Sequence, residues 1–288
     1  MAEEIREAAP AKINPFLRVL DRRPDGYHDI ETLILPISLA DELTLTPLDD
    51  HLIWVMNVYG EEGGVPVQDA PTSGENLASI AANALRTAIG GEQGARIQIR
   101  KRIPFAGGLG GGSADAAATL RALREAWDVH LDEAGLSRVA AEVGSDVPAL
   151  LGKRACISRG RGEFVQNITL PATHWALITQ PFGVRSGDAY DWWDQDGSVV
   201  GPDPGPLLES LASGDLERAG ELLFNDLEPS VSHRHPEVNH AREHLISAGA
   251  IGVVMSGSGP TVAGLARDPA HAEEVATAVG GTVVASFS

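Results

Sequence analysis

KRIPFAGGLGGGSADAAATL, residues 101–120, places five glycines within six positions, directly before a run rich in alanine. A backbone this bare suits a tight turn, a flexible linker or a cradle for an anion. The following run is typical of a helix, and we predict one from about Ser113 to Trp127 with Ser113 as its N-cap. A glycine loop that leads into a helix favours the anion cradle, because a phosphate can approach the main chain and meet free N–H groups.

Three well-known glycine loops do not fit this stretch. The nucleoside-triphosphatase P-loop ends in Gly-Lys-Ser/Thr, whereas Ser113 follows Gly112 directly. A dinucleotide fingerprint that starts at Gly108 meets Ser113 where glycine or alanine is required. The protein-kinase loop comes with HRD and DFG motifs, which this sequence lacks. A flexible glycine turn remains the plain structural alternative.

Composition narrows the class of protein. The chain has 288 residues, a formal net charge of -18 and a single cysteine, Cys156. The length predicts two domains or one large one, and the lone cysteine excludes an intrachain disulfide. Strong negative charge argues against nucleic acid as a partner. No apolar run is long enough to span a bilayer, and we expect a cytoplasmic protein.

Periodicity predicts the elements around the glycine loop. Residues 15–57 favour short strands ("FLRVL", "IETLILPISL", "ELTLTPL", "LIWVMN"), residues 60–74 a loop, and Asn76 the cap of a helix that Gly90 and Gly91 end. The C-terminal part favours a β-α-β-β-α-β order, the ferredoxin-like split pattern, with residues 194–206 as an exposed excursion. We place the domains at residues 1–162 and 163–288.

Three segments in order resemble the motifs of the GHMP small-molecule kinases: "PAKINPFLRV", "PFAGGLGGGSADAA" and "SGSGPT". The last segment alone is equally typical of a hairpin turn. "RRPDGYHDIETL" looks like the signature of the branch that acts on diphosphocytidyl-methylerythritol, and the likeness covers nearly the whole chain. The resemblance implies an α+β, two-domain GHMP kinase fold. Its N-terminal domain would be like the second domain of ribosomal protein S5, and its C-terminal domain a ferredoxin-like α/β sandwich.

The resemblance also implies a reaction, phosphoryl transfer from ATP to the 2-hydroxyl of the methylerythritol unit. The aspartate of the "GSDVP" motif, Asp146, would be the base that takes the hydroxyl proton. The lysine of "AKIN", Lys12, would keep that carboxylate ionised and stabilise charge on the moving phosphoryl group. Taken without the resemblance, Asp146 is more simply a turn or helix-end aspartate and Lys12 a solvated lysine at a strand start.

Family positions also imply the binding residues. The substrate would contact Asn14, Tyr27, His28, Asp146, Ser186, Gly257 and Ser258. ATP would lie on Pro104, Ala106, Gly107, Gly108, Leu109, Gly110, Gly111, Gly112 and Ser113. Mg²⁺ would arrive with ATP and need few or no dedicated protein ligands. Asp115 would either approach that ion or compensate the helix dipole from the first turn. The partner is a small molecule, without nucleic acid or membrane, and the protein would be a monomer or homodimer.

Three other hypotheses stay open at this point. Another GHMP kinase, of the mevalonate or homoserine type, fits less well because of "DGYHDIET" and "SDVP". A non-catalytic nucleotide-binding relative fits less well because Lys12 and Asp146 are both present. A zinc site would use the histidines of "SHRHPEVNHAREH", namely His233, His235, His240 and His244. Solvated helix histidines are the simpler interpretation, because no zincin glutamate or partner cysteine accompanies them.

Overall fold

The computed structural model describes residues 4–59, 76–197 and 201–287. The chain divides into two compact units, each built from several segments. Within the described ranges the first unit contains the N-terminus to Ala11, Leu39–Phe105 and Gly110–Lys153, and the second contains Lys12–Ser38, Ala106–Leu109 and Arg154 onward. The domain boundary at residues 162 and 163 stays a prediction. The loop predicted for residues 60–74 lies outside the described residues.

Strands of the first unit form a sheet in the order β3-β4-β2-β1. Their bounds are β1 Ile5–Arg22, β2 His28–Leu48, β3 Ile53–Tyr59 and β4 Gly94–Lys101, and β1 and β2 contribute residues to both units. Leu45 of β2 and Val55 of β3 both pair with Ile97 of β4, antiparallel and parallel respectively. Leu45 and Ile97 are buried, since alternate residues of these strands face the core.

One prediction divides a strand that is continuous in the structure. "IETLILPISL" and "ELTLTPL" were expected to be separate strands, yet both lie in β2. Asp41 resembles a turn former at their junction. Its carboxylate is instead buried against Lys101 and accepts a hydrogen bond from the backbone N–H of Ile103 at 2.9 Å. A satisfied buried carboxylate lets the strand continue through this position.

Four helices lie in the described part of the first unit: α1 Leu77–Ala88, α2 Gly111–Ala126, α3 Glu133–Val143 and α4 Val147–Leu151. Helix α1 contacts β3, and the four helices pack against one another. The predicted cap of α1 is confirmed, because the Asn76 side chain accepts from the N–H of Ala78 at 2.9 Å. Gly90 follows the helix end with a φ of 62°, as a glycine stop requires. The small side chains of α2 are buried, which permits close packing against α1.

The second unit contains a four-stranded sheet in the order β11-β7-β10-β9. The strands introduced here are β5 Cys156–Gly160, β6 Phe164–Asn167, β7 His174–Ile178, β8 Phe224–Asn225, β9 Gly252–Met255, β10 Val262–Ala266 and β11 Thr282–Ala285. Neighbours within the four-stranded sheet are antiparallel. This order confirms the ferredoxin-like pattern, with β9 and β10 as its central hairpin. Of the remaining strands, β5 pairs with β2 and β6, and β8 pairs with β1.

Six helices lie in the described part of the second unit, and several of them contact strands of that sheet. They are α5 Ser186–Asp196, α6 Gly205–Ser213, α7 Leu216–Glu221, α8 Glu228–Arg234, α9 Pro236–Ser247 and α10 Pro269–Val279. Leu245 and Val275 join Val253 and Val262 of the sheet in one apolar core. The excursion predicted for residues 194–206 is only partly correct, because its ends belong to α5 and α6, and residues 198–200 lie outside the described chain. None of the described helices has the length and apolar character needed to cross a membrane.

Candidate active site

Lys12 is buried within β1, with 3% of its surface exposed. Its Nζ donates to the carbonyl oxygen of Gly108 at 2.6 Å and to Oδ1 of Asn14. Its backbone N–H donates to the carbonyl of Leu109 at 3.0 Å. The alternative of a solvated lysine at a strand start is therefore wrong. A buried ammonium held by main-chain and amide oxygens fixes one positive charge beside the first half of the glycine loop.

The "SGSGPT" turn also contacts the carbonyl groups of the glycine loop, within the second unit. The Ser256 hydroxyl donates to the carbonyl of Gly108 at 2.9 Å and accepts from the backbone N–H of Asn14 at 3.3 Å. The N–H of Thr261 donates to the carbonyl of Gly107 at 3.3 Å. Three segments that the sequence analysis singled out separately are thus joined by direct hydrogen bonds inside one unit.

Two glycines make this close approach possible. Gly108 has a φ of +75°, and a Cβ there would lie 2.1 Å from the carbonyl oxygen of Ser256. Gly257 has a φ of +56°, and a Cβ there would lie 2.7 Å from Lys12 Nζ. Any side chain at either position would be strained and would displace a neighbouring polar group.

Asn14 is oriented by its own hydrogen bonds. Its Nδ2 donates to Thr32 Oγ1 at 2.8 Å, and the Thr32 hydroxyl donates to the carbonyl of Phe16 at 2.7 Å. This chain of donors leaves Asn14 Oδ1 as the acceptor that faces Lys12. A residue predicted to contact substrate therefore also helps to hold the buried lysine.

The other residues predicted to contact substrate in the second unit are Ser186 and Ser258, which lie together, and Tyr27 and His28. Ser186 begins α5, and its hydroxyl lies 3.3 Å from that of Ser258. Tyr27 is 53% exposed, with the guanidinium of Arg161 at 5.0 Å from its ring centre. His28 is buried, and its Nε2 lies 2.9 Å from Oδ1 of Asp194 on α5.

The second half of the glycine loop begins α2 in the first unit, and the predicted cap is wrong. Gly110 occupies the N-cap position with a φ of 68°, so the helix starts two residues before Ser113. The first helical hydrogen bond runs from the N–H of Ala114 to the carbonyl of Gly110 at 2.8 Å. No side chain in the described part of the chain caps this end. The N–H groups of residues 111–113 therefore have no acceptor within the helix, and Gly112 is exposed. That is the chemistry of an anion site.

The rest of the predicted ATP loop is divided between the units. Pro104 lies in the first unit, and residues 106–109 lie in the second. Ala106 has a φ of 47°, a left-handed conformation that is uncommon for alanine. Its carbonyl accepts from the N–H of Val184 at 3.0 Å, which ties the loop to the segment before α5.

A buried ionic cluster behind the start of α2 was missed by the sequence analysis. Lys101 Nζ lies 2.5 Å from Oδ2 of Asp41 and 2.6 Å from Oδ2 of Asp115. Asp115 is the fifth residue of α2, so the expectation of a first-turn acid that compensates the dipole is wrong. Burial raises the pKa of Asp115 to about 8. The only hint in the sequence was the scarcity of lysine, which gives each of the three lysines more weight.

Asp146 is in the N-cap position of α4, with a φ of -84°, but its side chain makes no capping hydrogen bond. It is half-buried. In the ranges that the structure describes, its carboxylate has no hydrogen-bond or ion-pair partner. An aspartate that neither caps its helix nor pairs with a cation keeps its oxygens available as proton acceptors.

Metal ligands do not cluster in the described residues. No group of three or more histidine, cysteine, aspartate or glutamate side chains there could hold an ion. His235 of the proposed zinc motif stacks on Phe182, with ring centres 4.8 Å apart. His240 and His244 are exposed on α9. The zinc hypothesis gains no support from this arrangement.

Two further positioning residues had weak or no sequence signals. Asn225 donates from Nδ2 to the carbonyls of Met255 at 2.7 Å and Gly257 at 2.8 Å, and so holds the "SGSGPT" turn. It belongs to the "FNDLEPSV" segment, which carried the resemblance but no assigned role. Asp194 contacts His28 across a long sequence separation, and nothing local in "DWWDQD" indicated it.

Comparison with known proteins identifies the family of this chain. The GHMP kinases N terminal domain matches residues 76–153, and the GHMP kinases C terminal domain matches residues 207–285. A 4-diphosphocytidyl-2-C-methyl-D-erythritol kinase of Symbiobacterium thermophilum is 39% identical, and the match covers 90% of this chain and 89% of the relative's length. One from Pelotomaculum thermopropionicum is 40% identical over 94% of this chain and 92% of its own.

A solved structure is similar along almost the entire chain. The crystal structure of a 4-(cytidine 5'-diphospho)-2C-methyl-D-erythritol kinase superposes with a TM-score of 0.81 at 35% identity, covering 98% of both chains. The predicted α+β GHMP kinase fold with two domains is confirmed, and so is the kinase class. With relatives this similar over nine-tenths of its length, the chain belongs to the 4-diphosphocytidyl-2-C-methyl-D-erythritol kinase family of the GHMP kinases.

Proposed function

We propose that this protein transfers the γ-phosphoryl group of ATP to the 2-hydroxyl of 4-diphosphocytidyl-2-C-methyl-D-erythritol, a step in non-mevalonate isoprenoid precursor synthesis. The observation that carries the proposal is the junction around buried Lys12. There the lysine motif, the glycine loop and the "SGSGPT" turn are hydrogen-bonded to one another in the second unit. Each segment comes from a different part of the chain, so no local folding requirement explains their meeting.

Asp146 acts as the base in this proposal. As the substrate hydroxyl oxygen bonds to the γ-phosphorus, the bond from that phosphorus to the bridging oxygen breaks and ADP leaves. The hydroxyl proton passes to the Asp146 carboxylate. The absence of a capping hydrogen bond at Asp146 supports this role, since a carboxylate committed to its helix would be a poorer base.

Lys12 stabilises the negative charge that develops on the transferring group. An ammonium that is buried and already oriented costs little reorganisation during the reaction. Its hydrogen bonds to Gly108 and Asn14 hold it in one direction, whereas an exposed lysine would move among many rotamers.

ATP phosphates would use the free N–H groups at the start of α2, in a protein whose net charge of -18 offers little long-range attraction. Mg²⁺ would be held mainly by those phosphates, with few or no dedicated protein ligands, and would neutralise part of their charge. The nucleoside end of the substrate would contact Tyr27 and His28, which offer an aromatic face and an imidazole.

The test is ADP release in the presence of ATP and Mg²⁺ with four alcohols in parallel. They are diphosphocytidyl-methylerythritol, mevalonate, homoserine and galactose. We expect turnover with the cytidylated substrate alone. Turnover only with another alcohol would contradict the substrate assignment while keeping the kinase class. Binding of ATP without turnover of any alcohol would favour a non-catalytic relative and overturn the proposed function.

A further inference from the structure

Side chains satisfy the outer main-chain groups of β9, an edge strand of the second unit. In the described part of the chain, β9 pairs with β10 alone. The N–H of Met255 donates to Oε2 of Glu228 at 2.8 Å, and the Met255 carbonyl accepts from Asn225 at 2.7 Å. The Val253 carbonyl, on the same side of the strand, accepts from Arg242 at 2.6 Å. Side chains of β8, α8 and α9 therefore take the place of a neighbouring strand.

Glu228 and Arg242 form an ion pair at this edge. Nη1 of Arg242 lies 2.9 Å from Oε1 of Glu228, so the guanidinium binds one carboxylate oxygen and the Met255 N–H binds the other. Burial raises the pKa of the Glu228 carboxyl, although the Met255 N–H and Arg242 both act to lower it. Apolar side chains in place of a buried ion pair are often neutral or stabilising, so stability alone does not explain a charge at this position.

Strand β9 leads directly into the "SGSGPT" turn. The Ser256 hydroxyl donates to the carbonyl of Gly108, which also accepts from Lys12 Nζ. The next residue, Gly257, lies so close to Lys12 that a Cβ there would be 2.7 Å from Nζ. Glu228 thus holds the main chain immediately before the two residues that contact the environment of the lysine. A displacement of the end of β9 would change both contacts.

We propose that Glu228 is a positioning residue for phosphoryl transfer. Its carboxylate oxygen holds the Met255 N–H, and this contact determines where the "SGSGPT" turn lies against Lys12. Arg242 keeps the carboxylate in the required direction. The position of the acceptor oxygen matters for this role, and the negative charge does not. The inference deepens the proposed function and rests on it, because the position of Lys12 affects the rate only if the phosphoryl group is transferred beside it.

Two conservative substitutions separate the position of the oxygen from its charge. Glu228→Asp keeps the charge, but its shorter side chain withdraws the oxygens from the Met255 N–H. Glu228→Gln loses the charge and keeps an acceptor oxygen at full reach. Arg242 then retains the Val253 carbonyl, and its side chain is 39% exposed, so water can hydrate the rest of the guanidinium.

Steady-state kinetics with ATP and the cytidylated substrate should distinguish the two variants. We expect kcat of Glu228→Asp to fall at least about tenfold, because a displaced ammonium stabilises the transferring group less well. We expect kcat of Glu228→Gln to stay within about threefold of wild type. The KM values should change little in both variants, since Lys12 acts on charge that develops in the transition state.

Selective labelling of lysine gives a readout that needs neither substrate nor turnover. The chain has only three lysines, so carbon-13 at Cε produces three NMR signals, and the Lys12 signal is identified by its loss in Lys12→Met. Glu228→Asp should shift the Lys12 signal, and Glu228→Gln should leave it in place. The signal of Lys153, which pairs with Glu7, serves as the internal reference and should not move in either variant.

Asp268→Ala controls for a general loss of stability. It removes the cap of α10, where the carboxylate accepts from the N–H of His271 at 2.8 Å. This variant should lower the urea midpoint and keep both kcat and the Lys12 signal of the wild type.

Three results would overturn the positioning role of Glu228. They are a wild-type kcat in folded Glu228→Asp, a Lys12 signal that this variant does not move, and an equal loss of kcat in Glu228→Asp and Glu228→Gln. A wild-type protein without turnover would overturn the proposed function instead. The Lys12 signals would still test the contact from Glu228 to the turn, so the two failures can be told apart.

Discussion

Lys12 shows how far a single residue can be predicted. The chain has only three lysines, and the "AKIN" pattern indicated which one the proposed reaction would use. Its burial could not be predicted, because the residues that satisfy its ammonium lie far along the chain, with Gly108 96 positions away. A sequence pattern identifies the charge, but only long-range contacts determine whether that charge is solvated or buried.

Gly257 offers a direct test of the junction around Lys12. A methyl group there would lie 2.7 Å from the lysine Nζ, so Gly257→Ala should displace the ammonium and lower kcat at least about tenfold. The backbone at this position is left-handed, which adds a stability cost of about 1–2 kcal/mol for alanine. Steady-state kinetics and denaturant unfolding measure the two effects separately.

The matched control is Gly280→Ala. Gly280 has a φ of +66°, close to that of Gly257, but among the described residues no atom other than those of its chain neighbours lies within 4 Å of a Cβ placed there. It should lose similar stability and keep wild-type kcat. If both variants kept full activity, the position of Lys12 would not matter for the reaction.

The start of α2 was predicted correctly as a glycine-fed helix but with the wrong first residue. Ser113 is a good N-cap by type. The left-handed Gly110 starts the helix earlier, because its conformation turns the chain without help from a side chain. The free N–H groups predicted at the start of this helix are still present. Without a serine cap, more of these groups are available for an anion.

The buried cluster of Lys101, Asp41 and Asp115 behind the start of α2 predicts a pH effect, because its two carboxylates are not equally hydrogen-bonded. Two carboxylates share the Lys101 ammonium, and within the described residues only Asp41 also accepts from backbone N–H groups. Oδ1 of Asp115 is buried without a hydrogen-bond partner among the described residues. Asp115 is therefore the carboxyl that holds a proton, in agreement with a pKa raised by burial to about 8.

The sign of the effect follows from proton uptake. The pKa of Asp115 rises from 3.8 to about 8 on folding, so the folded state binds more protons between those values. The free energy of unfolding should fall as pH increases from about 4 to about 8. Asp115→Asn should flatten this dependence in urea unfolding, whereas Asp132→Asn, at an exposed helix cap, should not. An unchanged slope in Asp115→Asn would assign the titration to another group.

Some helices and strands of the second unit were predicted from the sequence, and others were not. The strands β9 and β10 and helix α10 have strong apolar patterns and turn residues between them, and all three were found. The predicted β-α-β-β-α-β order did not include helix α8, because its seven residues contain Pro229 near the start and two serines. Tertiary packing against α5 and α9 stabilises it where local propensity does not.

For the whole molecule, the family and the fold could be predicted, but the division into compact units could not. The glycine loop itself is split, with residues 106–109 in one unit and Gly110 onward in the other. Because β1 and β2 also contribute to both units, no cut in the sequence separates them. Motif order along a chain predicts chemistry well, whereas it carries little information about which segments pack together.

Asp146→Asn tests directly whether this kinase uses Asp146 as its base, as proposed. Rapid-quench measurement of ADP formation with the cytidylated substrate should show kcat reduced about 10²–10⁴-fold with KM little changed. The stability of the variant should be unaltered, because Asp146 does not cap α4. Asp132→Asn, the same change at another helix start, serves as the control and should keep wild-type kcat. A kcat for Asp146→Asn within about threefold of wild type would contradict the assignment of the base.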